Sequence, residues 1–313
     1  MASEARLIGT RMSGNAASSH ICRAIRLIFS LCQRLRKSLI LSLAMRNIID
    51  FHTHAFPDTL ADRAMAALLE EGKKKWDVTA HLDGTVSSLL SSMDRNGIAK
   101  SVVCSIATRP SQFEPILAWS RSIRSERIIP FPSLHPDDPD AREKVSLIKR
   151  EGFKGIKFHP YYQNFTIDEE RLYPVYERIC EEGLSVVMHT GFDLAFERKR
   201  IADPAKIVHV MKRFPTFKLV TTHLGAWQDW DEVERLLVGK KIYMEISYAL
   251  DLLDAERARR MILDHPAEYV LFGSDSPWTG QDNTLAMLRG LKLGPERERR
   301  ILTDNAAALL NLS

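Results

Sequence analysis

The chain has 313 residues, 45% of them hydrophobic and 27% charged, with 15 Gly and 14 Pro, a balance that excludes disordered, fibrous and coiled-coil classes. Its formal net charge of +4 is uneven: residues 1–45 hold Arg6, Arg11, Arg23, Arg26, Arg34, Arg36 and Lys37 against Glu4 alone, so they carry +6 and leave −2 on the remainder. That slightly acidic body removes the electrostatic case for a nucleic-acid partner.

Residues 1–46 read as an N-terminal extension. Its apolar stretches, Leu27 to Cys32 and Leu39 to Met45, are separated by Arg34, Arg36 and Lys37. Neither is long enough to span a bilayer, so no membrane partner is expected. The expectation is that Met45, directly before the first strand, is the initiator, or that the upstream residues are a disordered tail; an amphipathic organelle-targeting peptide is the alternative. The four cysteines, Cys22, Cys32, Cys104 and Cys180, have no CxxC spacing and read as reduced thiols of a cytoplasmic protein.

From residue 47 to 313 the sequence alternates short β-branched runs with helical periodicity, the pattern of a parallel sheet with crossover helices. The predicted strands are Ile48 to His52, Ser101 to Ile106, Ile128 to Leu134, Gly155 to His159, Ser185 to His189, Lys218 to His223, Ile242 to Ser247 and Tyr269 to Asp275. From the second onward their starts lie 24 to 33 residues apart, room for one helix and two connections. Asp138-Pro139 and Asp203-Pro204 mark helix starts, and Gly152 and Gly183 mark ends. The fold class is therefore α/β, a (β/α)8 TIM barrel of roughly 250 residues in one domain. A doubly wound open sheet is the alternative, weakened because no Gly-rich phosphate loop follows the first strand. About fifty residues separate the first two strands, so an insertion, Ala55 to Gly84, is expected over the barrel mouth as a lid or substrate loop. Its charged part, Glu70 to Lys75, reads equally well as a solvated excursion.

Five strands end on His or Asp: Asp50-Phe51-His52-Thr53-His54, Lys157-Phe158-His159-Pro160, Val187-Met188-His189-Thr190, Thr221-Thr222-His223-Leu224 and Gly273-Ser274-Asp275-Ser276. Each alone is weak evidence, since an HxH pair is often chance and an Asp before Ser-Pro is usually a turn former. In a parallel barrel, however, all these ends meet at one rim. Alternation places His52 and His54 on one face, where both can grip one ion, and imidazoles with a carboxylate suit zinc, with manganese, iron or nickel as alternatives. His135, at the third strand end, is divided evenly between rim contact and structure. His20, His81, His209 and His265 lack this placement and are assigned no role.

With these residues in view, the chain resembles the amidohydrolase superfamily, and within it the amidohydrolase-related group that includes 2-amino-3-carboxymuconate 6-semialdehyde decarboxylase and the hydroxybenzoate decarboxylases. The likeness runs from Ile48 to Leu312. It is carried by the strand-end motifs above, by Leu271-Phe272-Gly273-Ser274-Asp275-Ser276-Pro277-Trp278 and by the closing Asp304-Asn305-Ala306-Ala307-Ala308-Leu309-Leu310. The resemblance implies that His52, His54, His189 and Asp275 ligate one divalent metal, that His223 is the acid/base beside it, and that His159 lies at the rim near the substrate. It also implies a carboxylated-lysine bridge at Lys157 as a minority reading, and a homodimer.

The metal chemistry allows two reactions. In the first, a hydrolase of a lactone, amide or ester, Asp275 accepts the proton of an activated water while His223 polarises the carbonyl. In the second, a non-oxidative decarboxylase, the metal holds the substrate's carboxylate or hydroxyl and Asp275 or His223 protonates the carbon that loses CO₂. A non-catalytic barrel and a metal-dependent nuclease are the remaining alternatives. Arg198, in the run Arg198-Lys199-Arg200, is an expected contact for an anionic small-molecule substrate, although such a run is more often solvated. Trp278, with Trp227 and Trp230, is expected to wall an apolar pocket. Glu245 on the seventh strand is expected either to orient a histidine ligand or to face outward.

Overall fold

The computed structural model describes residues 47–312, so the extension expected over residues 1–46 lies outside the described residues. All eight expected strands form, and all pair in parallel. They are β1 (Ile48–Thr53), β2 (Ile98–Cys104), β3 (Ile128–Phe131), β4 (Gly155–Phe158), β5 (Ser185–Met188), β6 (Lys218–Thr221), β7 (Tyr243–Glu245) and β8 (Val270–Leu271). Continuous ladders run β1-β2-β3 and β4-β5-β6-β7-β8. Single hydrogen bonds bridge the two seams: Lys157 N donates to Pro132 O (3.0 Å), Phe51 N to Phe272 O (2.8 Å) and Asp275 N to His52 O (2.8 Å). These contacts turn the two ladders into one barrel.

Between β1 and β2 stand α1 (Asp58–Lys73) and α2 (Val86–Asn96). The crossovers that follow are α3 (Phe113–Ile123), α4 (Ala141–Arg150), α5 (Tyr173–Glu182), α6 (Pro204–Arg213), α7 (Trp230–Leu236) and α8 (Ala255–Asp264). The chain closes with α9 (Gln281–Gly290), α10 (Pro295–Arg299), a π-helical turn (Arg300–Asp304) and α11 (Asn305–Leu310). Local chemistry sets the ends. Asp203 caps α6 by accepting from Ala205 N (3.1 Å), while Gly97 and Gly183 take the left-handed conformation that terminates α2 and α5.

The core has two parts. A large shell, with Ile48, Val103, Ile156, Val186 and Leu219 among its members, packs the strands against the helices. A smaller cluster fills the barrel, with Ile49, Phe51, Val102, Cys104, Phe131, Val187, Val220 and Leu271 contributed by six strands, and Ala306, Leu309 and Leu310 of α11 packed on it. The far end of the barrel is left to polar groups. Apart from β1, which runs one residue past its predicted end, the strands stop short of the predicted ends, so His159, His189, His223 and Asp275 lie one to four residues beyond their ladders. There the backbone is free to turn and aim each side chain into the mouth. Among the described residues no helix is long and apolar enough to cross a membrane.

Candidate metal centre and active site

Three of the four expected ligands converge. His54 Nε2 lies 3.1 Å from His52 Nε2 and 3.2 Å from Asp275 Oδ1, and His52 Nε2 lies 3.5 Å from the same oxygen. The alternation of β1 would turn His52 away from the face of Ile49 and Phe51, but a register irregularity between Asp50 and Thr53 resets it. Asp50 holds this stretch to the eighth strand. Its carboxylate accepts from Ser274 N (3.0 Å), Ser274 Oγ (2.6 Å) and Gln281 Nε2 (2.8 Å). Burial still pushes that carboxyl up to about 7.

The hydrogen bonds behind the imidazoles decide what the cluster can hold. His54 Nδ1 donates to Cys104 O (2.9 Å), which can only accept, and His52 Nδ1 donates to Glu245 Oε1 (3.0 Å). Each ring therefore turns an unprotonated Nε2 toward the other and toward the Asp275 carboxylate. Two lone pairs and an anion at these separations repel one another unless a cation lies among them. The residues thus fit a divalent metal, and second partners of this kind fix the ring orientation of ligating histidines. Protonation states agree. Burial, reinforced by the charge of Lys157, drives the His52 pKa well below the usual value, so that the ring is in its ligating form. Burial acts to raise the Asp275 carboxyl, but positive charge on the facing imidazole cluster outweighs it and holds the group well below the carboxylate range, so the carboxylate makes the same demand for a cation at this spot as the lone pairs do.

His189 is placed differently. Its Nε2–H donates to Phe192 O (2.9 Å), which leaves Nδ1 as the free nitrogen, facing His223 Nε2 at 3.2 Å. His223 donates from Nδ1 to Ser247 O (3.0 Å), so these two free nitrogens also need a proton or a cation between them. His189 and His159 approach Asp193 Oδ2 at 3.6 Å and 3.4 Å and stack with ring centroids 4.2 Å apart. That trio resembles a second ion site, yet the His189 nitrogen nearest Asp193 is the protonated one. Lys157 points inward, fully buried, with Nζ 2.9 Å from His52 Nε2. An ammonium bonded there and a metal on the same lone pair exclude each other, and burial pushes the lysine pKa down.

Glu245 is the hub of the site. Completely buried, it accepts from His52 Nδ1 (3.0 Å), His223 N (3.0 Å), Ser247 Oγ (2.8 Å) and Ser247 N (2.6 Å). It therefore positions both a candidate ligand and the candidate acid/base. Gly273 makes room for it, since a Cβ there would lie 2.3 Å from Glu245 Oε2. His223 and Asp275 have φ of 58° and 60°, a region non-glycine residues seldom adopt, and each such residue costs on the order of 1–3 kcal/mol. Six other described non-glycine residues share this region, and of these Tyr248 also lines the pocket.

A pocket of about 640 Å³ opens above this floor, lined by His52, His54, Lys157, His159, His189, His223, Asp275 and Trp278, among others. The insertion covers it as expected, with α1 forming one wall and the charged Glu70 to Lys75 stretch largely exposed to solvent. Arg198 does not line it. Its guanidinium sits 3.9 Å from the Phe192 ring centroid, donates to Gln228 Oε1 (2.8 Å), and borders a separate surface depression with Asp229 and Arg257. Trp227 lines the pocket, whereas Trp230 lies outside it and donates from Nε1 to His223 O (3.0 Å). His135 is buried, accepts from Asp137 N through Nδ1 (3.1 Å) and is absent from the lining, which makes it structural. Sequence reasoning did not single out Asp50, Asp193 or Ser247. Asp50 had a signal, its place two residues before His52 on a strand; Asp193 and Ser247 lie in connections that carry no periodicity.

The barrel, its strand-end histidines and the deep mouth define a class, the metal-dependent TIM-barrel hydrolases and lyases. The chain belongs to the amidohydrolase family, whose family model matches residues 49–312. Among curated proteins nothing matches it. Solved structures share the fold. An uncharacterized TIM-barrel protein from Bordetella bronchiseptica is 19% identical with a TM-score of 0.66, over 84% of this chain and 98% of that one. The 5-carboxyvanillate decarboxylase of Novosphingobium aromaticivorans, with bound manganese and a hydroxynitrobenzoic acid, is 11% identical at a TM-score of 0.63, over 85% and 97%. A probable 2-pyrone-4,6-dicarboxylic acid hydrolase from Acinetobacter baumannii is 14% identical at a TM-score of 0.58, over 85% and 100%. The family makes the chain an enzyme of the amidohydrolase superfamily.

Proposed function

We propose that the protein is a divalent-metal-dependent hydrolase of a small carbonyl compound, a lactone, amide or ester. The observation that carries this reading is the convergence of two unprotonated imidazole nitrogens and the Asp275 carboxylate at the floor of an open pocket. His52, His54 and Asp275 would hold the ion, and His189 joins them if its ring turns Nδ1 toward the cluster. A bound divalent ion supplies a Lewis acid for the carbonyl and acidifies a neighbouring water. Zinc suits these ligands best, with manganese, iron and nickel as alternatives.

The chain's own groups do the remaining work. Asp275, an anion in the fold, accepts the water's proton at Oδ1 or Oδ2 and returns it to the leaving group. His223 is anchored through Nδ1–H to Ser247 O, so Nε2 is the atom that exchanges a proton with the pocket. In its protonated form it donates to the carbonyl oxygen as negative charge develops there. Glu245 fixes its backbone by accepting from His223 N.

Decarboxylation is the second reading, favoured by the apolar walls above the floor: a carboxylate moved into such surroundings loses hydration, and that cost is relieved when it leaves as CO₂. The test is turnover by metal-loaded protein on a panel of lactones, amides and esters alongside hydroxyaromatic and muconate-type acids. Hydrolysis that is lost in Asp275→Asn supports the proposal. CO₂ release with no hydrolysis anywhere on the panel would replace it with the second reading.

A further inference from the structure

The pocket is much larger than its reactive floor, and the extra volume is apolar. On one side α1 presents Leu60, Ala64, Ala67 and Leu68, spaced three and four residues apart along one helix face. Ile116 and Trp119 of α3 stand across from them. Leu60 is 41% exposed, so the cleft between these helices is open to solvent rather than closed by packing. An apolar surface kept open at the mouth of an active site marks a ligand-binding wall.

Charge narrows what that ligand can be. Among the described residues the only cationic side chains lining the pocket are Arg63, exposed on α1, and Lys157, on the floor against His52. A second carboxylate in the cleft would be desolvated with Arg63 alone to pair it, and that side chain is exposed to solvent, where an ion pair returns little of the cost. One further polar atom is available: Ser105 Oγ, on the lining, is buried and has no hydrogen-bond partner among the described residues.

We propose that the substrate is an amphiphile with one polar end. Its carbonyl or carboxyl head lies on the His52–His54–Asp275 floor within reach of Ser105, and an uncharged alkyl or aryl tail runs out between α1 and α3. This deepens the functional reading above and rests on it for the position of the head. Dicarboxylic compounds are disfavoured because the one cation on the cleft wall, Arg63, is exposed rather than buried against the ligand, and single-ring acids leave the cleft unfilled.

The test uses the full chain loaded with zinc and follows intrinsic tryptophan fluorescence, since Trp119, Trp227 and Trp278 line the pocket. Two probe series are titrated. Primary alcohols from butanol to octanol read the cleft alone, and alkyl hydroxamates of matching length add a metal-binding head. Both should tighten about fourfold per added methylene, the factor equivalent to about 0.8 kcal/mol per buried CH₂. A hydroxamate carrying a terminal carboxylate should bind at least roughly tenfold more weakly than its alkyl counterpart. Ala64→Trp fills the cleft from α1 and should abolish the length dependence, and Ile116→Trp does the same from α3 should the first variant fail to fold. Alcohol binding that is independent of length, or a length dependence that survives both fillings, overturns the proposal. Hydroxamates that bind no more tightly than the alcohols would instead overturn the metal-centred reading while leaving the apolar cleft intact.

Discussion

Replacing Glu245 by Gln tests the positioning network in isolation, because size is kept and only charge and one acceptor change. One carboxylate oxygen, Oε1, accepts from His52 Nδ1, His223 N and Ser247 Oγ, while Oε2 accepts from Ser247 N at 2.6 Å. A glutamine best leaves its carbonyl in the three-donor position, which turns its NH₂ against Ser247 N–H. One buried donor then loses its acceptor, and the bond from His52 loses its charge. Together these should cost about 2–3 kcal/mol of stability in the metal-free chain. His52 also becomes less basic and less fixed, so divalent-metal affinity should fall roughly 10–100-fold. Urea unfolding of the metal-free protein and competition against a chelator measure the two effects separately. A variant that unfolds at the wild-type urea concentration and keeps its metal affinity within about twofold would refute the role assigned to Glu245.

Gly273→Ala should damage the same network from the other side, because the new Cβ would lie 2.3 Å from Glu245 Oε2 and 3.1 Å from His52 Cβ; reduced metal content in a folded protein is the readout. Lys157→Met removes the amine that competes for His52 Nε2, so metal binding should tighten and lose some pH dependence; loss of an ion from the measured stoichiometry would show instead that the lysine is itself a ligand. The buried histidines should make stability fall on acidification, against the opposite contribution of Asp50, whose raised pKa has the fold take up a proton as pH falls through 7. His265 is buried, donates to Ile242 O, and burial pushes its pKa down to about 4 from an ordinary 6.5. The unfolded chain binds the extra proton in that window, so this contribution is complete above pH 6.5 and is lost as pH falls to 4, by about 3 kcal/mol. The buried His52, His159 and His189 act in the same direction. His265→Gln should reduce the acid slope by up to one proton, about 1.4 kcal/mol per pH unit, as read by urea unfolding between pH 4 and 7; an unchanged slope would contradict the neutral state assigned to that ring.

The eight strands were legible because each is a short β-branched run and, from the second onward, one crossover helix between each pair keeps the spacing narrow. Side-chain direction was legible only where the ladder is regular. His189 shares the inward parity of Val187, as alternation requires, whereas Asp275 lies four residues past its ladder with a positive φ. His52 and His223 reach the pocket by breaking alternation, through the register irregularity after Asp50 and through the positive φ at His223. Glu245 could be weighed from the sequence but not oriented, because its inward position depends on the Gly273 gap on the neighbouring strand. Arg198 shows the opposite limit. Its charge suggested a substrate contact, yet a loop run has no periodicity to fix its direction, and the structure spends it on Phe192 and Gln228. The apolar face of α1 was hidden for a related reason, since an amphipathic helix reads alike whether it covers a core or a ligand.

The claim on which the rest depends is that His52, His54 and Asp275 hold a divalent ion. Elemental analysis of the purified full chain, before and after reconstitution with zinc and manganese, tests it most directly when paired with His54→Ala. One tightly held ion per chain, lost in the folded variant, is the predicted result. A wild-type chain that retains no divalent metal after reconstitution, or a His54→Ala variant that retains it undiminished, would contradict the account.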